Sequence, residues 1–146
     1  MSDTKPVRKL VHTMRQAIRW GDMDVLGHVN NTIYFRYMET GRIAFLEEAS
    51  GALSAQGEGP VIVTAYCSFI KQLKYPGEIE IRTYAGPPGR SSFEVTHEIL
   101  LVEADGEARV VHAEGGGKVV WIDFEKEKSV PVPEQVRQVL PAPASD

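Results

Sequence analysis

Residues 20–39 read Trp20-Gly21-Asp22-Met23-Asp24-Val25-Leu26-Gly27-His28-Val29-Asn30-Asn31-Thr32-Ile33-Tyr34-Phe35-Arg36-Tyr37-Met38-Glu39, and the pattern changes half-way through. Two glycines and two aspartates before Asn30 mark an ordered loop rather than a continuing element. From Asn30 or Asn31 to about Ser50, Ile33, Tyr34, Tyr37, Met38, Gly41, Ala44, Phe45 and Glu48 fall at helical spacing. Either Asn can cap the helix by accepting from a free backbone N–H, and Gly51 is the expected stop. The apolar stripe is wide, so the helix should lie against a sheet. Gly41 costs such a helix about 1 kcal/mol relative to Ala. A close approach by a neighbouring backbone or a fortuitous glycine would each account for it.

Working outward, residues 10–20 alternate, with Leu10, Met14, Ile18 and Trp20 on the more apolar side, which predicts a strand. Beyond a loop at 52–60, only strand-like segments follow, at 61–73, 77–85, 91–103 and 108–124, with turn signals between them. Gly115-Gly116-Gly117 interrupts the last, as a bulge or a close approach. Pro131 and Pro133 end the sheet, and 133–140 suits a short helix. The connections between the later strands are short, so those strands should be antiparallel. The expected architecture is α+β, with a five-stranded antiparallel sheet wrapped around one long central helix. The 146 residues suit a single domain, with 1–8 and 141–146 expected to be mobile.

Composition narrows the function classes. Hydrophobic residues make up 42% and charged residues 25% of the chain, the balance of an ordinary globular protein. The net charge of −4, with both signs interspersed, argues against nucleic acid or an anionic membrane as partner. No apolar run approaches the roughly 20 residues that span a bilayer, and the start of the chain lacks a secretory h-region. A cytoplasmic location is expected. Cys67 is the only cysteine and reads as a small buried hydrophobe. His12, His97 and His112 are scattered along separate strands without metal-ligand spacing.

The stretch before the helix can carry chemistry. A helix N-terminus exposes unpaired N–H groups and positive partial charge, and so stabilises an anion such as the oxyanion of an attacked thioester. An ionised aspartate a few residues upstream can activate water or attack the carbonyl itself. On the residues alone, the favoured reading of Asp22 and Asp24 is as turn or capping residues, the common place of aspartates in loops.

The Asp22-Met23-Asp24-Val25-Leu26-Gly27 pattern, followed by Tyr34 and an apolar helix carrying Met38-Glu39, resembles the signature of the 4-hydroxybenzoyl-CoA thioesterase family of hot-dog proteins. The resemblance is sharp over 18–46. It is softer over the later strands, where it takes in Val119-Val120-Trp121-Ile122-Asp123 and Val130-Pro131-Val132-Pro133. It implies a hot-dog fold and hydrolysis of an acyl-CoA, with Asp24 as base or nucleophile. A backbone N–H at about Asn31 would polarise the carbonyl, and Gly27 would be the loop glycine that lets backbone approach the thioester. Several relatives carry a His near the position of Asn31. Here His28 stands three residues earlier, so whether His28 or Asn31 orients substrate by its side chain stays open. Glu39 is a second candidate carboxylate, against an ion pair with Arg36 or Arg42.

Lys71, Lys74, Arg90 and Lys118 fall at strand ends or turns where they could meet the coenzyme A phosphates, and the resemblance points to the turn Gly89-Arg90-Ser91-Ser92 among them. Tyr34, with Trp20, Phe35 and Tyr66, would line the acyl pocket, and each is equally well read as core. No metal and no cofactor is implied, coenzyme A entering as part of the substrate. A homodimer or homotetramer with the cleft at its interface is expected. An acyl carrier protein as acyl donor, or a module that binds acyl-CoA without turnover, are the alternatives.

Overall fold

A computed structural model describes residues 7–51 and 57–143. In chain order the elements are β1 (Lys9–Ala17), α1 (Asn31–Ser50), β2 (Glu58–Phe69), β3 (Glu78–Ala85), β4 (Ser92–Val102), β5 (Ala108–Asp123), β6 (Lys128–Ser129) and α2 (Glu134–Arg137). All strand pairs are antiparallel, in the order β1-β3-β4-β5-β2. The five expected strands are joined by a two-residue sixth, β6, which pairs with the end of β5 beyond the reach of β4. β1 and β2 are the two edges, and α1 carries the chain from one to the other across the concave face. This is the hot-dog arrangement.

Alternation sends Ile79, Ile81, Val95, Ile99, Ala113, Val119 and Trp121 toward the helix, where all are buried. They meet Tyr34, Tyr37, Met38, Phe45 and Leu46 of α1 in two apolar clusters, one under each half of the helix. Between the clusters Gly41 crosses the sheet. A methyl group there would come within 2.8 Å of Ile81 Cγ2 and Thr83 Oγ1, so close approach is the reason for this glycine, though to side chains rather than to backbone.

Several boundaries moved, each for a local reason. The first strand stops at Ala17 because Trp20–Asp22 forms a single 3-10 turn, with the Asp22 carboxylate accepting the Arg19 N–H at 2.9 Å. β2 starts early, since Gly59 and Pro60 pair with Ile122 and Trp121. It also ends early, because the Ile70 and Lys71 N–H groups both donate to the His112 carbonyl, which turns the chain and delivers Leu73 to the core. The terminal helix is only Glu134–Arg137. Of the predicted 52–60 loop, 52–56 lie outside the described residues, as do 1–6 and 144–146. Arg8, in the segment expected to be mobile, stacks 3.9 Å from the Tyr84 ring centroid and pairs with Glu98 at 3.6 Å.

His97 sits at the waist between the clusters, 1% exposed, its Nδ1 sharing a hydrogen bond of 3.0 Å with Thr83 Oγ1. Burial, and secondarily the charge of Arg42, lowers its pKa to about 3. In the unfolded chain a histidine titrates near 6.5. Between those values the unfolded state takes a proton that the folded state refuses. The stabilisation is therefore whole above about pH 6.5 and is lost as pH falls. From pH 6.5 to 5 the unfolding free energy should drop by about 2 kcal/mol, and His97→Gln should remove most of that slope. Urea midpoints at the two pH values measure it; an unchanged slope in the variant would contradict it.

Candidate active site

The loop between β1 and α1 is a narrow hairpin. The Asp24 N–H donates to the His28 carbonyl at 2.8 Å, the Gly27 N–H to the Asp24 carbonyl at 3.1 Å, and the Asn30 N–H to the Asp22 carbonyl at 2.9 Å. Gly27 closes the turn at φ 79°, a left-handed conformation that favours glycine.

The two aspartates take different roles. Asp22 is tied to the fold: its Oδ2 accepts the Arg19 N–H and the Tyr37 hydroxyl, the latter at 2.7 Å. Burial first, and then this carboxylate, raises the Tyr37 pKa and keeps the phenol a donor. Tyr37→Phe should cost about 1–3 kcal/mol of stability, the range for losing a hydrogen bond to a charged group, because Asp22 Oδ2 loses one of its two donors and keeps only the Arg19 N–H. Thermal unfolding would read that loss; an unchanged midpoint would show that the contact is dispensable.

Asp24, in contrast, makes one side-chain hydrogen bond among the described residues, Oδ1 accepting the Leu26 N–H at 2.9 Å. It is a turn residue, yet among the described residues it has no ion pair, and it lines a cleft. Val25 and Leu26 at the tip are 100% and 76% exposed, so the loop presents the carboxylate without covering it.

The helix start is built around Asn30. Its side chain accepts from the Thr32 N–H at 2.9 Å and from the Thr32 hydroxyl at 2.6 Å, and its carbonyl accepts the Ile33 N–H. Asn30 is thus the cap, and the Asn31 N–H is left among the free amides at the positive end of α1.

A cleft of about 450 Å³ opens where this helix start meets the end of β2, lined by Asp24, His28, Asn31, Tyr34, Phe69 and Lys71 among others. Five of the nine sequence candidates, Asp24, His28, Asn31, Lys71 and Tyr34, come together here, with Gly27 shaping the turn. The His28 ring bonds to no described residue; its backbone carbonyl holds Asp24 in place. The Tyr34 hydroxyl accepts the Leu73 N–H at 3.2 Å, and its ring meets Phe69 edge-on at 5.1 Å. Burial raises the Tyr34 pKa, so its hydroxyl stays protonated.

Arg90, Ser91 and Ser92 do not reach this cleft. They lie at the opposite end of the sheet, after β3 has run its eight residues away from the Asp24 loop. There the backbone serves the C-terminal segment: Arg137 donates to the carbonyls of Gly89 and Arg90 at 2.7 and 2.6 Å, and Trp121 N–H donates to Ser91. Trp20 is 74% exposed away from the cleft, and Tyr66 is on the outer face of the sheet. Glu39 pairs with Arg36 at 3.4 Å and faces a different compartment. Burial pushes the Cys67 thiol up to about 11, so it stays unionised near neutrality. Sequence reading missed Phe69 and Ile70; an apolar pair at the exit of an edge strand was the only signal for them.

A family model of the thioesterase-like superfamily matches residues 18–140. The chain belongs to the thioesterase-like superfamily. Solved structures agree. The PA2801 protein of Pseudomonas aeruginosa is 36% identical, covers 89% of this chain and 98% of its own, and superposes with a TM-score of 0.82. The gentisyl-coenzyme A thioesterase BH1999 is 29% identical, covers 86% of this chain and 99% of its own, at a TM-score of 0.74. A 4-hydroxybenzoyl-CoA thioesterase complexed with 4-hydroxybenzoyl-CoA is 20% identical and covers 88% of this chain and 96% of its own. Its TM-score of 0.77 shows the fold alone. The match to the thioesterase-like superfamily begins at Ile18 and so takes in the whole Asp24 hairpin. No helix among the described residues of this thioesterase-like chain is long and apolar enough to cross a membrane.

Proposed function

We propose that this chain hydrolyses an acyl-CoA to the free acid and coenzyme A, with Asp24 as the catalytic carboxylate. One observation carries the reading: Asp24 and Asn31, the first residue of α1, line the same cleft. As a general base, Asp24 takes a proton from water while the water oxygen bonds to the thioester carbon. Negative charge moves to the carbonyl oxygen, where the Asn31 N–H and the helix dipole hold it. Collapse breaks the C–S bond, and the proton on Asp24 passes to the departing thiolate. As a nucleophile, Asp24 bonds to the carbon itself and expels the thiolate, and water then cleaves the anhydride. Lys71 at the cleft mouth suits a phosphate of coenzyme A. The test is turnover on short, medium, long and aromatic acyl-CoAs. At least one should be hydrolysed at an enzymatic rate; tight binding of all without hydrolysis would leave a binding module instead.

The working unit under this reading is a dimer built on β2. That strand is an edge whose Ile62, Val63, Tyr66 and Phe69 are 38–53% exposed. An exposed apolar edge is a template for a second strand, and antiparallel pairing of β2 with its copy satisfies both. Sedimentation should give at least twice the chain mass; a monomer at micromolar concentration would overturn it.

A further inference from the structure

The groove between α1 and β2 continues past the cleft. Along this side of the helix, Asn31, Phe35, Met38 and Arg42 follow one another at spacings of three and four residues, so they share a face. Phe35 and Phe69, ring centroids 6.5 Å apart, stand between the cleft and a second compartment of about 380 Å³. Its apolar walls include Phe35, Met38 and Ile62, and its charged members are Arg36, Glu39 and Arg42, two cations and one carboxylate. Both rings are at least a third exposed and are not locked by the core.

Arg42 is the anomaly there. It is only partly exposed, and among the described residues its guanidinium makes no hydrogen bond or ion pair. Glu39 acts on it only through space, its own carboxylate being paired with Arg36. With the Glu39 carboxylate engaged by Arg36, the Arg42 guanidinium has no direct partner among the described residues, and its planar fork fits a carboxylate through two parallel hydrogen bonds.

We propose that the second compartment receives the acyl chain and that Arg42 binds an anionic far end of it, making the preferred substrate an ω-carboxyacyl thioester. This rests on the thioesterase reading and adds the substrate class. The dimensions agree. Arg42 lies 11 residues beyond Asn31, roughly 16 Å along the helix axis, and its side chain leans back toward the N-terminus. A chain attached at the Asn31 end and running between apolar walls therefore meets the guanidinium with its terminus. Burial lowers the Arg42 pKa without neutralising it, as a site awaiting an anion requires.

The experiment compares suberoyl-CoA with octanoyl-CoA, which differ only in the terminal group. The wild-type protein should show a kcat/KM at least ten-fold higher for suberoyl-CoA. Arg42→Gln should lose about 30-fold or more on suberoyl-CoA and change less than 3-fold on octanoyl-CoA, with Arg42→Lys between the two. Calorimetric binding of both thioesters to Asp24→Asn, which has no need of turnover, should show the same preference. Parallel losses on both substrates would overturn the inference. So would dissociation of the oligomer in Arg42→Gln, since it would mean that Arg42 serves a second copy of the chain. If the wild type hydrolyses neither thioester, the thioesterase reading fails on this pair; equal affinity in the calorimetric arm would overturn the role of Arg42 separately.

Discussion

Asp24→Asn is expected to lower kcat/KM on the best acyl-CoA by about 10²–10⁴-fold, the range that a positioned base contributes. The fold should not notice. An Asn oxygen can still accept the Leu26 N–H, the one side-chain hydrogen bond that Asp24 makes, so the melting temperature should stay within a degree or two. Asp22 separates chemistry from architecture two residues away. Asp22→Asn weakens acceptors for the Arg19 N–H and the Tyr37 hydroxyl and should act mainly on stability. Steady-state turnover and thermal unfolding of the two variants, side by side, check the assignment. Full activity in Asp24→Asn would end it. Single turnover in ¹⁸O-labelled water then separates the two forms of the mechanism, because only a nucleophilic Asp24 can acquire the label itself.

The second large effect concerns the sheet. Gly115→Ala should destabilise the protein by about 3 kcal/mol, the upper end of ordinary overpacking. A methyl group on Gly115 would overlap the Tyr66 carbonyl of β2 and stand 2.9 Å from Cys67 Cα and 3.0 Å from the sulfur of Met38. Gly116 and Gly117 are hemmed in the same way by the carbonyls of Val95 and Thr64. The obstruction is mostly backbone on neighbouring strands, which cannot rotate aside. Gly21→Ala adds the same methyl group where nothing lies within 4 Å, and should stay within about 0.5 kcal/mol of wild type. Chemical denaturation midpoints for the pair decide it; a small effect at Gly115 would mean that β5 can move away from β2.

Much of this molecule was legible one residue at a time. The span of α1 follows from Asn30 and Gly51, because a cap and a left-handed stop act through their immediate neighbours. The later strands follow from alternation and short turns. Of the alternatives for the glycine run, close approach holds: all three residues pair in register with β2 and β4. Where boundaries slipped, as at Trp20 and Leu73, the cause was a hydrogen bond to a partner that periodicity does not see. The same limit applies to the site. Asp24, His28 and Asn31 are close in sequence and were found together. The Arg90 turn was a sound guess about chemistry in a place that the strand direction carried to the far end of the sheet. Phe69 joins the site from nearly 40 residues beyond Asn31, through β2.

The chain by itself thus determined a helix with a capped, amide-bearing start and an aspartate hairpin just before it, since both arise from contacts within a few residues. It also determined a set of antiparallel strands able to cover that helix. Only the tertiary structure decided which aspartate is free, because Tyr37 must fold back to claim Asp22. It alone set the second wall of the cleft and formed the compartment that Arg42 lines, because both depend on where edge strand β2 comes to rest against α1.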